Sequence, residues 1–203
     1  MKIAIIGVNG RVGSRIAAEA LRRGHQVTGV VHSTRTANAP AGVAIVQGDA
    51  NQPDALAPLL RGHDAVVSAV RFHDLKAAPL LQALKLAEVK RLLVVGGAAS
   101  LETSPGRILL DSPDFPDAYK SEAVPGKQFL DDLRGEKEVD WTFLSPSAQF
   151  EPGERTGKFR IGADQLLADT DGKSHISMED YAIAMVDELE RPRHMRQRFT
   201  VGY

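Results

Sequence analysis

Short, unbroken apolar runs rich in β-branched residues alternate along the chain with stretches whose apolar positions recur every three or four residues. Residues 3–6, 26–31, 43–47, 65–70, 91–95 and 141–144 are runs of the first kind and predict strands. Residues 12–23 place Val12, Ile16, Ala17, Ala20 and Leu21 on one helical face, with Gly24 where a C-terminal glycine belongs. Residues 53–61 predict a short helix with Pro53 in its first turn and Gly62 after it. Residues 74–88 predict a longer one carrying Leu80, Leu81, Leu84 and Ala87. Strands apolar on both faces and spaced by helices belong to a parallel sheet covered on both sides. With right-handed crossovers, the prediction is a doubly wound Rossmann-type α/β fold.

The pattern changes in two places. Residues 98–118 hold Pro105, Gly106, Pro113 and Pro116 and predict a long loop. From Ser145 the chain is irregular, and residues 145–175 are expected to form a small substrate-side extension of the single domain, with "TGKFRIG" as a hairpin arm. "ISMEDYAIAMVDELERP" predicts a final helix, capped by Ser177 with Asp180 as its capping-box partner, and "RFTVGY" a last strand.

The turn after the first strand reads Gly7-Val8-Asn9-Gly10-Arg11-Val12-Gly13. The first glycine permits a tight turn, the second a close approach of backbone to pyrophosphate, the third close packing of helix on strand. The helix start that follows offers free N–H groups and a positive dipole end to a phosphate. Strand, loop and helix in this order predict a dinucleotide site. NAD sites usually carry an acidic residue about 20 positions on, bonded to the ribose. Here no Asp or Glu occurs from Val27 until Asp49, and the second strand runs into His32, Ser33, Thr34 and Arg35. A 2′-phosphate needs donors and positive charge, so NADP is expected over NAD, although Arg35 also fits a plain solvated loop.

Composition narrows the field. The 203 residues are 43% hydrophobic and 25% charged, with a net charge of -1, which gives no electrostatic case for nucleic acid or an anionic membrane as partner. The chain has no cysteine, so disulfides, thiolate metal sites and cysteine nucleophiles are excluded. The first apolar run is four residues long, too short for a signal-peptide core or a membrane span, and a cytoplasmic protein is expected. The six histidines have no paired metal-ligand spacing, "SPSAQ" lacks the glycines of a hydrolase elbow, and "RPRHMRQR" fits a solvated helix end.

With "VQGDANQPDAL", "DAVVSAV", "KRLLVVGGAAS", "DFPDAYK", "WTFLSPSAQFEPGERTGKF" and "ISMEDYAIAMVDELE", the glycine loop resembles an atypical short-chain dehydrogenase/reductase of the NAD(P)H-binding, NADH-flavin reductase type, more distantly biliverdin reductase B. The resemblance spans essentially the whole chain. It implies that Asp49 and Ala50 meet the adenine, and that Ser68, Ala69 and Val70 line the ribose and nicotinamide side. It further implies that Gly97, Ala98 and Ser100 lie under the nicotinamide, with Pro146 and Ser147 beside the cofactor. The loop departs from the family in having Val8-Asn9 where Ala-Thr is common, and Asn9 can still turn or donate to phosphate.

Conventional short-chain dehydrogenases pair a tyrosine with a lysine four residues later. Tyr119 is followed at that spacing by Ala123, with Lys120 adjacent on another face, and Pro125-Gly126 is expected to interrupt a helix there. The alcohol–ketone proton relay is therefore missing. Direct hydride transfer to a flavin or a quinone-like acceptor needs no such pair. Ser100, Tyr119 and His73 are the candidates to hydrogen-bond this small-molecule acceptor, each with a bland alternative in loop or packing; Phe72, Phe150 and Phe159 are candidate stacking walls. A cofactor-sensing regulator without chemistry is also compatible, while an epimerase-like enzyme is disfavoured by the short C-terminal region. A monomer or weak homodimer is expected.

Overall fold

The computed structural model describes residues 1–33 and 39–203. Its elements in chain order begin with β1 Lys2–Ile6, α1 Arg11–Arg22, β2 Gln26–Val31, β3 Ala44–Gln47, α2 Pro53–Leu60 and β4 Ala65–Ser68. They continue with α3 Ala77–Ala87, β5 Arg91–Val95, β6 Glu102–Ser104, β7 Arg107–Ile108, α4 Asp117–Gly135 and β8 Asp140–Ser145. The last are β9 Gln149–Glu151, β10 Arg160–Gly162, β11 His175–Ser177, α5 Met178–Glu190 and β12 Gln197–Gly202.

Among the described residues, eight strands form one sheet in the order β10-β12-β8-β5-β4-β1-β2-β3. Every neighbouring pair is parallel except β10 with β12. The doubly wound Rossmann-type sheet is thus present, and the order in which strands are added reverses between β1 and β4, where ligands of such sheets bind. Side-chain alternation explains the unbroken apolar runs. Ile3, Ile5, Val67 and Leu93 face α1 and α5, burying Ile16, Ala17, Tyr181 and Met185. Ala4, Ile6, Val66, Leu92 and Val94 face the other way, toward Leu56, Leu80, Leu84, Phe129 and Leu133.

Four expectations are corrected. The helix through "DAYKSEAVPGKQFL" is continuous: α4 runs past Pro125. The carbonyl that Pro125 leaves unpaired belongs to the exposed Ser121, where water can reach it. Gly126 is needed there, since a Cβ would come within 2.8 Å of the Phe72 ring. The 98–118 segment is not all loop, because β6 and β7 pair as a small hairpin, with a 3-10 turn at Leu109–Asp111. The "TGKFRIG" arm closes no hairpin of its own; β10 adds antiparallel to the sheet edge at β12. Finally, Ser177 Oγ does accept the Asp180 N–H at 3.0 Å, but the Asp180 carboxylate does not complete a capping box. It instead accepts from Thr156 Oγ1, the Gly157 N–H and the Tyr203 hydroxyl at 2.5, 2.8 and 2.7 Å, tying the 156–157 turn and the last residue to α5.

Candidate active site

At the carboxyl end of β1 the chain enters the glycine turn. Gly7 has φ +84°, and a Cβ there would lie 2.7 Å from the Ala69 carbonyl. A Cβ on Gly13 would lie 2.3 Å from the Gly7 carbonyl, so α1 can sit this close to β1 only with glycine. Gly10 is different: it is exposed, forms the N-cap of α1 without a side-chain cap, and its nearest neighbour for a Cβ is the Gly7 carbonyl at 3.2 Å. Bare backbone at Gly10 thus faces outward, beside the uncapped start of α1, which is where a pyrophosphate is held in such turns.

Two clefts flank this turn. The smaller, of about 450 Å³, takes Gly7, Asn9, His32, Asp49, Ala50 and Val70 from the expected cofactor residues, together with Gly48, Asn51 and Asp74. Asp49 Oδ1 accepts the Asn51 N–H at 2.9 Å, and Asn51 Nδ2 donates to the Asp74 carbonyl at 2.8 Å, which sets the floor of this cleft. The larger, of about 650 Å³, takes Arg11, Gly97, Ala98, Ser100 and Tyr119, and also Phe72 and Phe150. A Cβ on Gly97 would meet nothing within 4 Å, so the backbone there borders open space.

Of the expected residues that are described, the others do not line either cleft. Gly10, Val12 and Gly13 belong to the turn and helix start between the clefts, and Ser68 and Ala69 to the end of β4 under Gly7. Pro146 and Ser147 are buried after β8, where Ser147 Oγ donates to the Val201 carbonyl at 2.9 Å. Arg35 lies outside the described residues. His73 is spent on Glu122, with Nδ1 at 2.9 Å, and on Asp74, with Nε2 at 3.3 Å. Phe159 lines a separate small cavity with Glu188 and His194.

Sequence reasoning missed the wall supplied by α4, because Pro125 argued against a helix. Glu122, Ala123, Gly126 and Lys127 line the larger cleft from α4, and Phe115 and Leu109 from the segment before it. Glu122 accepts the Phe72 N–H at 2.8 Å and the His73 N–H at 3.3 Å, clamping the turn after β4 to α4. Phe72 then stacks on Phe143, with ring centroids 5.8 Å apart, beneath the cleft. Arg11 and Glu151 bond across the mouth at 2.6 Å. Among the described residues, Arg71 at the cleft has no ion pair.

The acid–base inventory is thin. Tyr119 is 65% exposed. Lys120 pairs with Asp117 at 2.6 Å, and Lys127, about 12 Å along the helix, pairs with Asp131 at 2.7 Å. Tyr181 is fully buried under Phe150 and donates to the Leu144 carbonyl at 2.7 Å; burial pushes its phenol well above the usual value, so it stays a neutral packing group. What the site offers is a bare-backbone turn at a helix start, with a smaller cleft on one side and a larger, mostly apolar one on the other.

The comparisons agree with this geometry. The profile of a family described as NAD(P)H-binding matches residues 7–192. An uncharacterized Bacillus subtilis (strain 168) protein, YwnB, is 41% identical, aligned over 99% of this chain and 98% of its own. A Bacteroides thetaiotaomicron structure provisionally named an epimerase is 41% identical, with a TM-score of 0.93 over 100% of this chain and 96% of that one. A Streptococcus pneumoniae TIGR4 structure provisionally named an NADH-flavin reductase is 35% identical, with a TM-score of 0.87 over 100% and 99%. No helix among the described residues is long and apolar enough to cross a membrane.

Proposed function

The chain belongs to the NAD(P)H-binding family, and from that premise we propose that it is an NADPH-dependent reductase of a flavin or a quinone-like acceptor. The fit of the cofactor rests on the cradle: Gly7 and Gly13 bring β1 and α1 together, and Gly10 leaves backbone bare at the helix start, with a cleft on each side. Asp49 and Ala50 would hold the adenine and His32 the adenosine ribose side. Gly97 and Ala98 would form the floor under the nicotinamide, which when bound supplies a hydride.

The observation that carries the reductase reading is the larger cleft itself. It is mostly apolar, open at Gly97, walled by Phe72, Phe115 and Phe150, and Lys120 beside Tyr119 is paired with Asp117. A planar, electron-poor ring can stack there, and this chain's part is to orient it and shed water. Ser100 and Tyr119 supply hydroxyls for the acceptor's oxygens, and the proton that completes reduction comes from solvent. This reading places the protein in the cytoplasm, where NADPH is at hand. The provisional reductase name of the Streptococcus pneumoniae relative supports it.

The test is NADPH consumption by the purified protein with FMN or a naphthoquinone added. Oxidation that needs both protein and acceptor is expected. Tight NADPH binding without oxidation by either acceptor would contradict catalysis and indicate a cofactor sensor.

A further inference from the structure

The loop after β5, which floors the larger cleft, is held from behind by an arginine on β12. The Arg198 side chain is 3% exposed. Its Nε donates to Asp164 Oδ1 at 2.8 Å, and Nη2 bonds the same carboxylate. Nη1 is turned the other way, donating to the Ser100 carbonyl at 3.3 Å and to Ser100 Oγ at 3.4 Å. Three segments distant in sequence meet at this one guanidinium.

The chemistry of the pair is asymmetric. A guanidinium carries only donors, so its contact with Oγ occupies a serine lone pair and leaves the hydroxyl hydrogen free. Among the described residues, that hydrogen has no other acceptor. Ser100 lines the larger cleft, so the cleft is the direction open to it. A cation on the acceptor side of a hydroxyl also polarises it as a donor.

We propose that Arg198 is a positioning residue that fixes Ser100 as a one-way hydrogen-bond donor to a carbonyl oxygen of the acceptor. The proposal rests on the reductase reading. When a quinone ring takes up a hydride, its electron pair forms the new bond and negative charge collects on the carbonyl oxygen. A donor already aimed at that oxygen stabilises it without reorganisation. Water then supplies the proton that gives the hydroquinone, and NADP⁺ is left; Ser100 keeps its own proton throughout. Asp164 balances the buried guanidinium and holds its fork toward the loop.

The test reads binding, so it does not depend on turnover. A naphthoquinone is titrated into the protein loaded with NADP⁺, a pair that cannot react. Wild type, Ser100→Ala, Arg198→Met and the double variant are compared. Each single variant is expected to weaken quinone binding about fivefold, the worth of one hydrogen bond. The double variant should be no weaker than either single one within about twofold, because both remove the same contact. NADP⁺ affinity should be unchanged in all four. Losses that multiply, an Arg198→Met protein with wild-type quinone affinity, or parallel loss of NADP⁺ affinity would each overturn the proposal. If Arg198→Met does not fold, Asp164→Asn frees the same guanidinium from its half-exposed side. It should weaken quinone binding about twofold with Ser100 present and not at all with Ser100→Ala; equal losses in both backgrounds overturn the proposal. Wild type that binds quinone but never oxidises NADPH with it contradicts the reductase reading, and the Arg198–Ser100 coupling still decides this one. Wild type that binds no quinone overturns it.

Discussion

Gly7 and Gly13 are demanded by the fold, whereas Gly10, in the proposed function, is demanded by the phosphate it faces. A side chain at Gly7 or Gly13 would drive into a carbonyl at 2.7 or 2.3 Å, but a Cβ at Gly10 meets the Gly7 carbonyl at 3.2 Å and the Ala69 carbonyl at 4.0 Å. Gly10→Val should therefore keep native circular dichroism while abolishing NADPH binding in a calorimetric titration; binding retained by the folded variant contradicts the cradle. Tyr119 is the complementary case. It is exposed, and the neighbouring Lys120 is paired with Asp117. General acid catalysis is worth about 10²–10⁴-fold where it operates. Tyr119→Phe should keep most of the naphthoquinone-dependent turnover at saturating NADPH, and a loss of a hundredfold or more would reopen the alcohol–ketone reading. The proposed preference for NADPH also rests on single residues. His32 follows β2 and lines the smaller cleft where an NAD site would carry a carboxylate. NADPH should bind more tightly than NADH by about tenfold or more, the scale of a charge-assisted phosphate contact; equal affinities, or tighter NADH, would refute this.

At the scale of elements, the larger cleft is only as well formed as the contacts that hold its walls. Its β9 edge is tied to α1 through α5. Glu179, near the start of α5, accepts from Arg15 Nε at 2.5 Å and from the Gly153 N–H at 2.7 Å. Burial alone would raise its pKa, but these donors outweigh burial and hold the carboxyl below its usual value. A depressed carboxylate pKa stabilises the fold fully above the unfolded-state value, near 4.5, and the contribution is lost as pH falls through the lower folded value. Glu179→Gln should lower stability by about 1–2 kcal/mol in urea unfolding at pH 7, with the difference from wild type closing on acidification below pH 4. A difference that persists at low pH would show that the carboxylate charge is not the cause. The opposite wall, α4, was illegible in the sequence for a definite reason. Pro125 removes one backbone bond, but the orphaned carbonyl sits on the solvent side while Ala123, Gly126, Phe129 and Leu130 bury the other face. Tertiary packing outweighed local propensity.

Across the whole molecule, the legible features were those written in local pattern. The parallel strands, their helices and the glycine turn could be read because apolar runs and helical spacing report burial directly, and eleven of the expected site residues line the two clefts: Gly7, Asn9, His32, Asp49, Ala50, Val70, Arg11, Gly97, Ala98, Ser100 and Tyr119. The features that escaped depend on long-range meetings. Nothing local in "QRFTVGY" or "IGADQ" announces that Arg198 and Asp164 join behind Ser100, or that Asp180 leaves its cap for Tyr203. In the proposed function the phosphate lies at Gly10, the adenine in the smaller cleft and an acceptor ring in the larger, and bound NADPH gives up hydride directly to that ring. The most direct measurement is a single turnover of enzyme-bound NADPH with a naphthoquinone, comparing the ordinary cofactor with NADPH deuterated at the transferred position of the nicotinamide. Oxidation is expected in both cases, at a severalfold slower rate with deuterium. Bound NADPH that the quinone leaves unoxidised, or that is oxidised at the same rate with either isotope, would contradict direct hydride transfer.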